Sequence, residues 1–333
     1  MKKSLIGIEI SASEVAMAQF TGSGLLTAVE RLPENLVRDE RIISHELLAS
    51  FLKEMRTSHG FSGKKCAFLL PETSTYFRAI SLPVMTEAQL RLNLPYEFRD
   101  FVGNDSMRYF YDYALESMVT DEAGEATGMD ILAAAASRQV VDEYRRLLKN
   151  AGLRLATALP REMALIYLFR QYSAVSADPY REICLINIGF DHTRVYISAG
   201  EKLRASKIID IGCRQIDEAI ASIYNIDKYL AASYRYTNHE NVLESSECKS
   251  VYERIALEVM KTVNFYKYEN QQTEICDVYF CGSGAELEIL RSEIIGYIDF
   301  VQRDIAEILP EECAENKDAS RCLMALSAVL ESE

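Results

Sequence analysis

Basic residues are scarce beside acidic ones: 36 Lys and Arg face 50 Asp and Glu, giving a formal net charge of -14. Phosphate backbones reward clustered Lys and Arg, so this balance argues against a nucleic-acid reader unless a local basic patch exists. Long hydrophobic runs are missing too. No stretch of about 18 apolar residues occurs, and a membrane-spanning helix is not supported. Histidine is confined to positions 45, 59, 192 and 239, and these supply no second ligand pair for zinc. The eight cysteines (66, 184, 213, 248, 276, 281, 313, 322) are scattered, several inside apolar runs, with Cys276 and Cys281 the only close pair. Buried, reduced thiols are therefore expected. The Met-Lys-Lys start runs straight into an alternating strand containing Glu9, whereas a signal peptide needs a longer apolar core and a small-residue cleavage site. A cytoplasmic protein is expected.

Against these absences stands an ordinary globular composition, 49% hydrophobic and 26% charged over 333 residues. That length supports a sizeable core and about two compact units. The N-terminus reads as a three-stranded meander: "SLIGIEI" and "EVAMAQF", parted by "SAS", then "LLTAVERL". In "ERIISHELLASFLKEMR", residues 40–56, Ile42, Ile43, Leu47, Leu48, Phe51, Leu52 and Met55 share one stripe of period near 3.6, which predicts an amphipathic helix. "KKCAFLLP" supplies a further buried strand.

Residues 75–152 read as an inserted α+β module. "YFRAISLP" is a strand, and Thr86 is placed to cap "EAQLRLNLPYEFRDFV", in which Pro95 is expected to kink or divide the helix. "RYFYDYALESMV" and "MDILAAAAS" are two strands joined by the polar "TDEAGEATG", and "RQVVDEYRRLLKNAG" is a helix stopped by Gly152. After the strand "LRLATALP" and the helix "REMALIYLFRQYSA", a second meander follows in "EICLINIG", "TRVYISAG" and "KLRASKIIDIG". This internal repeat is the main organisational clue. Helices are expected at 214–224 and 249–268, with a Tyr-rich section between them. "DVYFCGSGAELEILRSEI" reads as a strand, a Gly-rich turn and a helix start, and "SRCLMALSAVLES" as a last short helix.

Two meanders opening on tight polar turns, with a late strand running into Gly-Ser-Gly, describe a two-lobed cleft whose turns can present backbone N–H groups to anionic oxygens. The chain resembles the actin-like ATPase superfamily and, within it, the PilM family of type IV pilus assembly proteins, relatives of FtsA. "IGIEISASEV" stands at the first phosphate loop and "LINIGFDHTRVYI" at the second. "FRAISLPVMTEAQLRLNLPYEFRDFV" and "VVDEYRRLLKNAGLRL" are similar to the start and end of the family's insert, and "VMKTVNFY" and "CGSGAELEIL" to its adenosine-side helix and loop. The resemblance implies an α/β, two-lobed actin-like fold with an inserted SHS2-like module. Lobe I would comprise 1–74 and 153–175, and lobe II 176–333, with the C-terminal helix returning to lobe I.

The resemblance further implies ATP as a structural or regulatory ligand, with magnesium left open. The matching positions are Glu9, Ser11 and Ser13 in the first loop, Asn187, Gly189 and Thr193 in the second, Glu258 and Lys261 on the adenosine side, and Gly282, Ser283 and Gly284 in the last loop. Departures from the family pattern bear on turnover. Glu9 replaces an Asp, Ser11 a Gly whose position suits positive φ or close phosphate approach, and Ala16 a frequent Lys. Asn187 replaces an Asp that would help hold the hydration shell of magnesium. Efficient hydrolysis is not expected. Glu258 and Lys261, three apart on a helix, read equally well as a solvated pair, and Gly-Ser-Gly as a strand end. Asp191 and His192 are more simply an exposed turn pair. Tyr224, Tyr229, Tyr234 and Tyr236 fit either a partner surface or internal packing.

By the same resemblance the protein would be a cytoplasmic scaffold of a pilus, secretion or competence machine, held at the inner membrane through partners. A groove beside the insert would take a short N-terminal peptide of a PilN-like membrane protein, against strands 76–82 and 108–115. An active ATPase or small-molecule kinase is the alternative, and an FtsA-like filament former a weaker one.

Overall fold

The computed structural model describes residues 5–33, 36–38, 41–103 and 105–330. The Met-Lys-Lys start, Ser4 of the first expected strand, Glu40 of the first expected helix and the last residues of the expected C-terminal helix lie outside them. The first sheet begins with β1 (Leu5–Ile10), β2 (Glu14–Thr21) and β3 (Gly24–Arg31). A two-residue pairing of β4 (Val37–Arg38) with β5 (Arg41–Ile42) leads to α1 (His45–Ser58) and β6 (Lys65–Leu69). Helix α1 buries Leu48, Ala49, Leu52 and Met55, each large side chain contributing roughly 1.5–3 kcal/mol. Ile42 falls in β5, and Ile43 and Leu47 are exposed, so the expected stripe narrows to the face that meets the core.

The module follows with β7 (Thr75–Pro83), α2 (Glu87–Glu97), α3 (Arg99–Val102), β8 (Tyr109–Thr120), β9 (Ala126–Ser137) and α4 (Arg138–Asn150). Thr86 caps α2 through a reciprocal box with Gln89: the Gln89 amide donates to Thr86 Oγ1 at 3.3 Å, and the Thr86 amide to Gln89 Oε1 at 2.9 Å. The helix continues through Pro95 and breaks at Phe98, three residues later. In the sheet order β7-β9-β8, alternate residues pack on α2 and α3 around Leu90, Leu94 and Phe98. The other face turns toward the first sheet.

Helix α4 does not close the module. Val141, Tyr144, Leu147 and Leu148 lie in one core with Leu48, Leu52, Met55 and Phe68, and the Tyr144 ring sits 4.4 Å from that of Phe68. Helices α2 and α3 cover one face of the module sheet, while the apolar stripe of α4 is buried against α1. Gly152, at φ +77°, ends the helix in a Schellman turn: its amide donates to Lys149 O and the Leu153 amide to Leu148 O.

The chain then returns to the first sheet with β10 (Arg154–Leu159) and runs into α5 (Arg161–Val175). The second sheet holds β11 (Glu182–Ile188), β12 (Thr193–Ala199) and β13 (Lys202–Ile209). Helices α6 (Cys213–Tyr224), α7 (Lys228–Thr237) and α8 (Ser246–Glu269) precede β14 (Asp277–Cys281), α9 (Glu288–Ile298) and β15 (Val301–Gln302). The two five-stranded orders, β10-β6-β1-β2-β3 and β15-β14-β11-β12-β13, are one plan used twice. In each, a meander is extended by parallel strands. The internal repeat read from the sequence is thus a repeat of topology.

The tail carries α10 (Glu311–Ala314) and α11 (Leu323–Ser327). Helix α11 is buried from end to end and lies on β1 in the core that both sheets share, beside Leu165, Leu168 and Phe169 of α5. A Cβ on Gly7 would sit 1.8 Å from the Ala325 carbonyl oxygen, so β1 and α11 can meet only across a glycine. Gly7→Ala is expected to cost about 2 kcal/mol or more in chemical denaturation, as overpacked sites do. Gly22→Ala, whose Cβ meets nothing within 4 Å, should stay within about 0.5 kcal/mol of wild type.

Candidate functional site

The tips of the two meanders and the loop after β14 converge on one cleft. Its walls include Glu9, Ser11 and Glu14 from the first hairpin, Asn187, Gly189, Asp191 and His192 from the second, and Gly282 and Ser283 from the last loop. Ser320, Arg321 and Met324 of the tail close one side, and Arg161 and Arg194 the floor. Of the residues singled out in the sequence, Ser13, Thr193, Gly284, Glu258 and Lys261 do not line it.

The hairpin turns spend their polar groups on themselves. The Ser11 hydroxyl accepts from the amides of Ser13 (3.3 Å) and Glu14 (2.9 Å) and donates to the Glu14 carbonyl (3.0 Å). Ser11 is not among the residues of positive φ, so the strain expected there is absent: the hydroxyl closes the turn that a glycine would otherwise shape. The Gly189 amide donates to the His192 carbonyl, and the amides of Cys213 and Arg214, at the start of α6, donate to the carbonyls of Gly189 and Phe190. Thr193 donates to the Ile211 carbonyl at 2.8 Å and is fully buried. The Gly282 amide, at φ +85°, donates to the Ser320 carbonyl.

The glycines are tight against protein. A Cβ on Gly282 would meet Asn187 Oδ1 and the Ile188 carbonyl oxygen at 2.6 Å, and one on Gly284 would meet Ile188 Cγ2 at 2.3 Å. Their lack of a side chain serves the approach of the last loop to β11.

Charge dominates the interior. Arg161, at the first position of α5, pairs with Glu9 and lies 3.6 Å from Glu72; Arg194 of β12 grips both Glu72 oxygens at 2.7 Å. Both guanidiniums are buried. Glu14 accepts from Arg321 at 2.8 Å and from the Tyr236 hydroxyl at 3.2 Å, while Arg31 lies over the Tyr236 ring. Asp191 pairs with Arg214, and His192 Nδ1 lies 3.3 Å from Asp210. Burial alone would push the Arg161 guanidinium down, but the charges of Glu9 and Glu72 override it and hold the group protonated. Burial likewise pushes the Glu72 carboxyl up, and hydrogen bonds and charge from Arg194, with Arg161 behind, bring it below the usual glutamate range.

Sequence reasoning missed Glu72, Arg161, Arg194 and Arg321. Their hydrogen-bonded carboxylate or guanidinium partners stand 122 to 307 residues away, so no local spacing announces them. Glu258 and Lys261 lie in α8, bonded to each other at 2.6 Å and exposed. Tyr224 and Tyr234 stack edge-on near His239, whereas Tyr236 reaches across the cleft. Seven cysteines are buried and Cys276 is exposed; burial pushes the Cys66 thiol up to about 12, which suits an inert core residue. Among the described residues, no group of three His, Cys, Asp or Glu is placed to hold a metal.

The residues present do not fit a magnesium nucleotide. The space left in the cleft is about 70 Å³, well short of the roughly 300–1,000 Å³ of small-molecule sites. The carboxylates nearest the turns are paired with arginines, and Asn187 supplies no charge for a hydrated cation.

Since Glu72 sits below its unfolded value, its contribution to stability is complete above about pH 4.3 and is lost as pH falls through the folded value. Wild type should exceed Glu72→Gln by about 3 kcal/mol at pH 7 in urea unfolding. That difference should shrink as pH falls below about 4.3 and through the lowered folded value. A gap that is constant over this range would contradict the pairing.

Comparison with known proteins follows this geometry. No curated protein sequence matches the chain. A solved structure described as a PilM-PilN type IV pilus biogenesis complex superposes with TM-score 0.82 at 19% identity, covering 99% of both chains. The ethanolamine utilization protein EutJ of Carboxydothermus hydrogenoformans gives 0.59 at 12% identity over 98% of this chain and 88% of its own. MreB 5 of Spiroplasma citri bound to AMPPNP gives 0.55 at 9% over 99% and 95%. The doubled sheet plan is therefore the actin-like fold. Residues 7–320 match the sequence model of the type IV pilus assembly protein PilM family, and the chain belongs to that family.

Proposed function

We propose that this chain is an assembly scaffold whose working surface is a groove between the inserted module and the first sheet. There it binds a short extended peptide from the N-terminus of a PilN-like inner-membrane protein. The observation that carries this reading is the groove itself, about 350 Å³, between the uncovered face of the module sheet and α4, β10 and α5. Its floor is small: Ala114, Ala134 and Ala136 leave the room that Phe77, Phe110 and Leu132 border. Pro160, Met163 and Tyr167 form the facing wall. β8 and β10 are both sheet edges and both line the groove, so an extended segment meets backbone groups as well as apolar pockets. Asp112 and Arg145 add polar groups to the lining.

A scaffold anchored in this way needs no membrane segment of its own. Among the described residues no helix is long and apolar enough to cross a membrane, and in this reading the protein sits on the cytoplasmic face through its partners and the other pilus components. Efficient ATP turnover forms no part of the reading, because Glu9 is tied to Arg161 and the Asp position of the second loop is Asn187.

Filling the floor tests it. Ala134→Leu places a larger side chain in mid-groove, at a half-buried position of β9 that faces the open space. Affinity for a fluorescent peptide from the cytoplasmic N-terminus of the PilN-like partner should fall at least about tenfold, with the melting temperature little changed. Leu92→Ser, on the exposed side of α2, should bind as wild type. Equal binding by Ala134→Leu and wild type would remove the groove as the docking site.

A further inference from the structure

We propose that this chain holds its two lobes closed with its own ion pairs and uses no nucleotide to do so. The links are on the page. Glu72, in the turn after β6, is gripped by Arg194 of the second sheet and flanked by Arg161, which in turn holds Glu9 of β1. At the other side of the cleft, Glu14 of β2 binds Tyr236 of α7 and Arg321 of the tail, and Arg31 of β3 covers the Tyr236 ring. One wall is therefore tied from the first sheet to β12 of the second, and the other from the first sheet to α7.

In a cleft closed by a nucleotide, phosphate charge and a metal would join the two hairpins. Here the guanidiniums of Arg161, Arg194 and Arg321 supply the positive charge and Glu9, Glu72 and Glu14 the negative, in a set that balances internally. Adding a polyphosphate would set it against those carboxylates and would require breaking buried pairs. The Nε atoms of Arg161 and Arg321 and Nδ1 of His192 make no hydrogen bond, yet each faces a carboxylate at 3.3–3.9 Å, so their charge is met within the chain. The amides of Ser13 and Glu14, at the first hairpin turn, are occupied by the Ser11 hydroxyl.

Two measurements on the full chain decide this. In calorimetry and thermal melting with ATP plus magnesium, ATP with chelator, and inorganic phosphate, no heat of binding and no concentration-dependent shift are expected. A magnesium-dependent rise in melting temperature with ATP would overturn the proposal. Second, the Glu72→Gln/Arg194→Gln double variant removes one link, and Tyr236→Phe/Arg321→Gln loosens the other more gently. Each should raise amide exchange in the 11–14 and 187–193 turns by about tenfold and enlarge the radius of gyration in X-ray scattering. Addition of ATP should reverse neither change. Unchanged exchange and dimensions in the folded milder variant would refute the latch.

Discussion

Placing two guanidinium groups beneath a pair of hairpins commits much of this molecule to neutralising them. Arg161 and Arg194 are both buried, and an unpaired buried charge costs several kcal/mol, so their carboxylates must arrive from other elements with good geometry. Glu72 serves both arginines and Glu9 serves one. To bring them together, β1, the turn after β6, the start of α5 and β12 must be fixed to one another. The doubled sheet plan does this: both meanders aim their first turns at the same space, while the core around α5 holds the sheets beneath.

The parts of this arrangement that could be read from the sequence are the local ones. Alternating apolar residues separated by short polar turns announced both meanders, because side-chain period and turn chemistry act within a few residues. Glu9, Ser11, Asn187, Gly189, Gly282 and Ser283 were placed by the family resemblance of those turns, and they do share a cleft. What those residues do there was less legible. Ser11 turned out to tie its own turn, and Gly282 and Gly284 to pack on β11.

The long-range pairs left no trace in spacing, and neither did the helix-to-core assignments. The sequence marked α4 as a helix stopped by Gly152, but nothing in its spacing said that it would pack on α1 rather than on the module sheet. The groove and the cleft are also closer than sequence patterns suggest: Pro160 lines one and Arg161 the other, on successive residues at the start of a single helix.

The seating of α11 on β1 has a consequence for how the chain is made. Strand β1 precedes the tail by most of the chain, yet its face at Gly7 is completed by residues of the tail, and Ala28 in the same sheet receives the Cys322 thiol from 294 positions away. While translation proceeds, that face stays open to water, and a chaperone or the nascent chain's own apolar segments can cover it. Consolidation of the shared core requires the tail residues of α11 to be in place against β1.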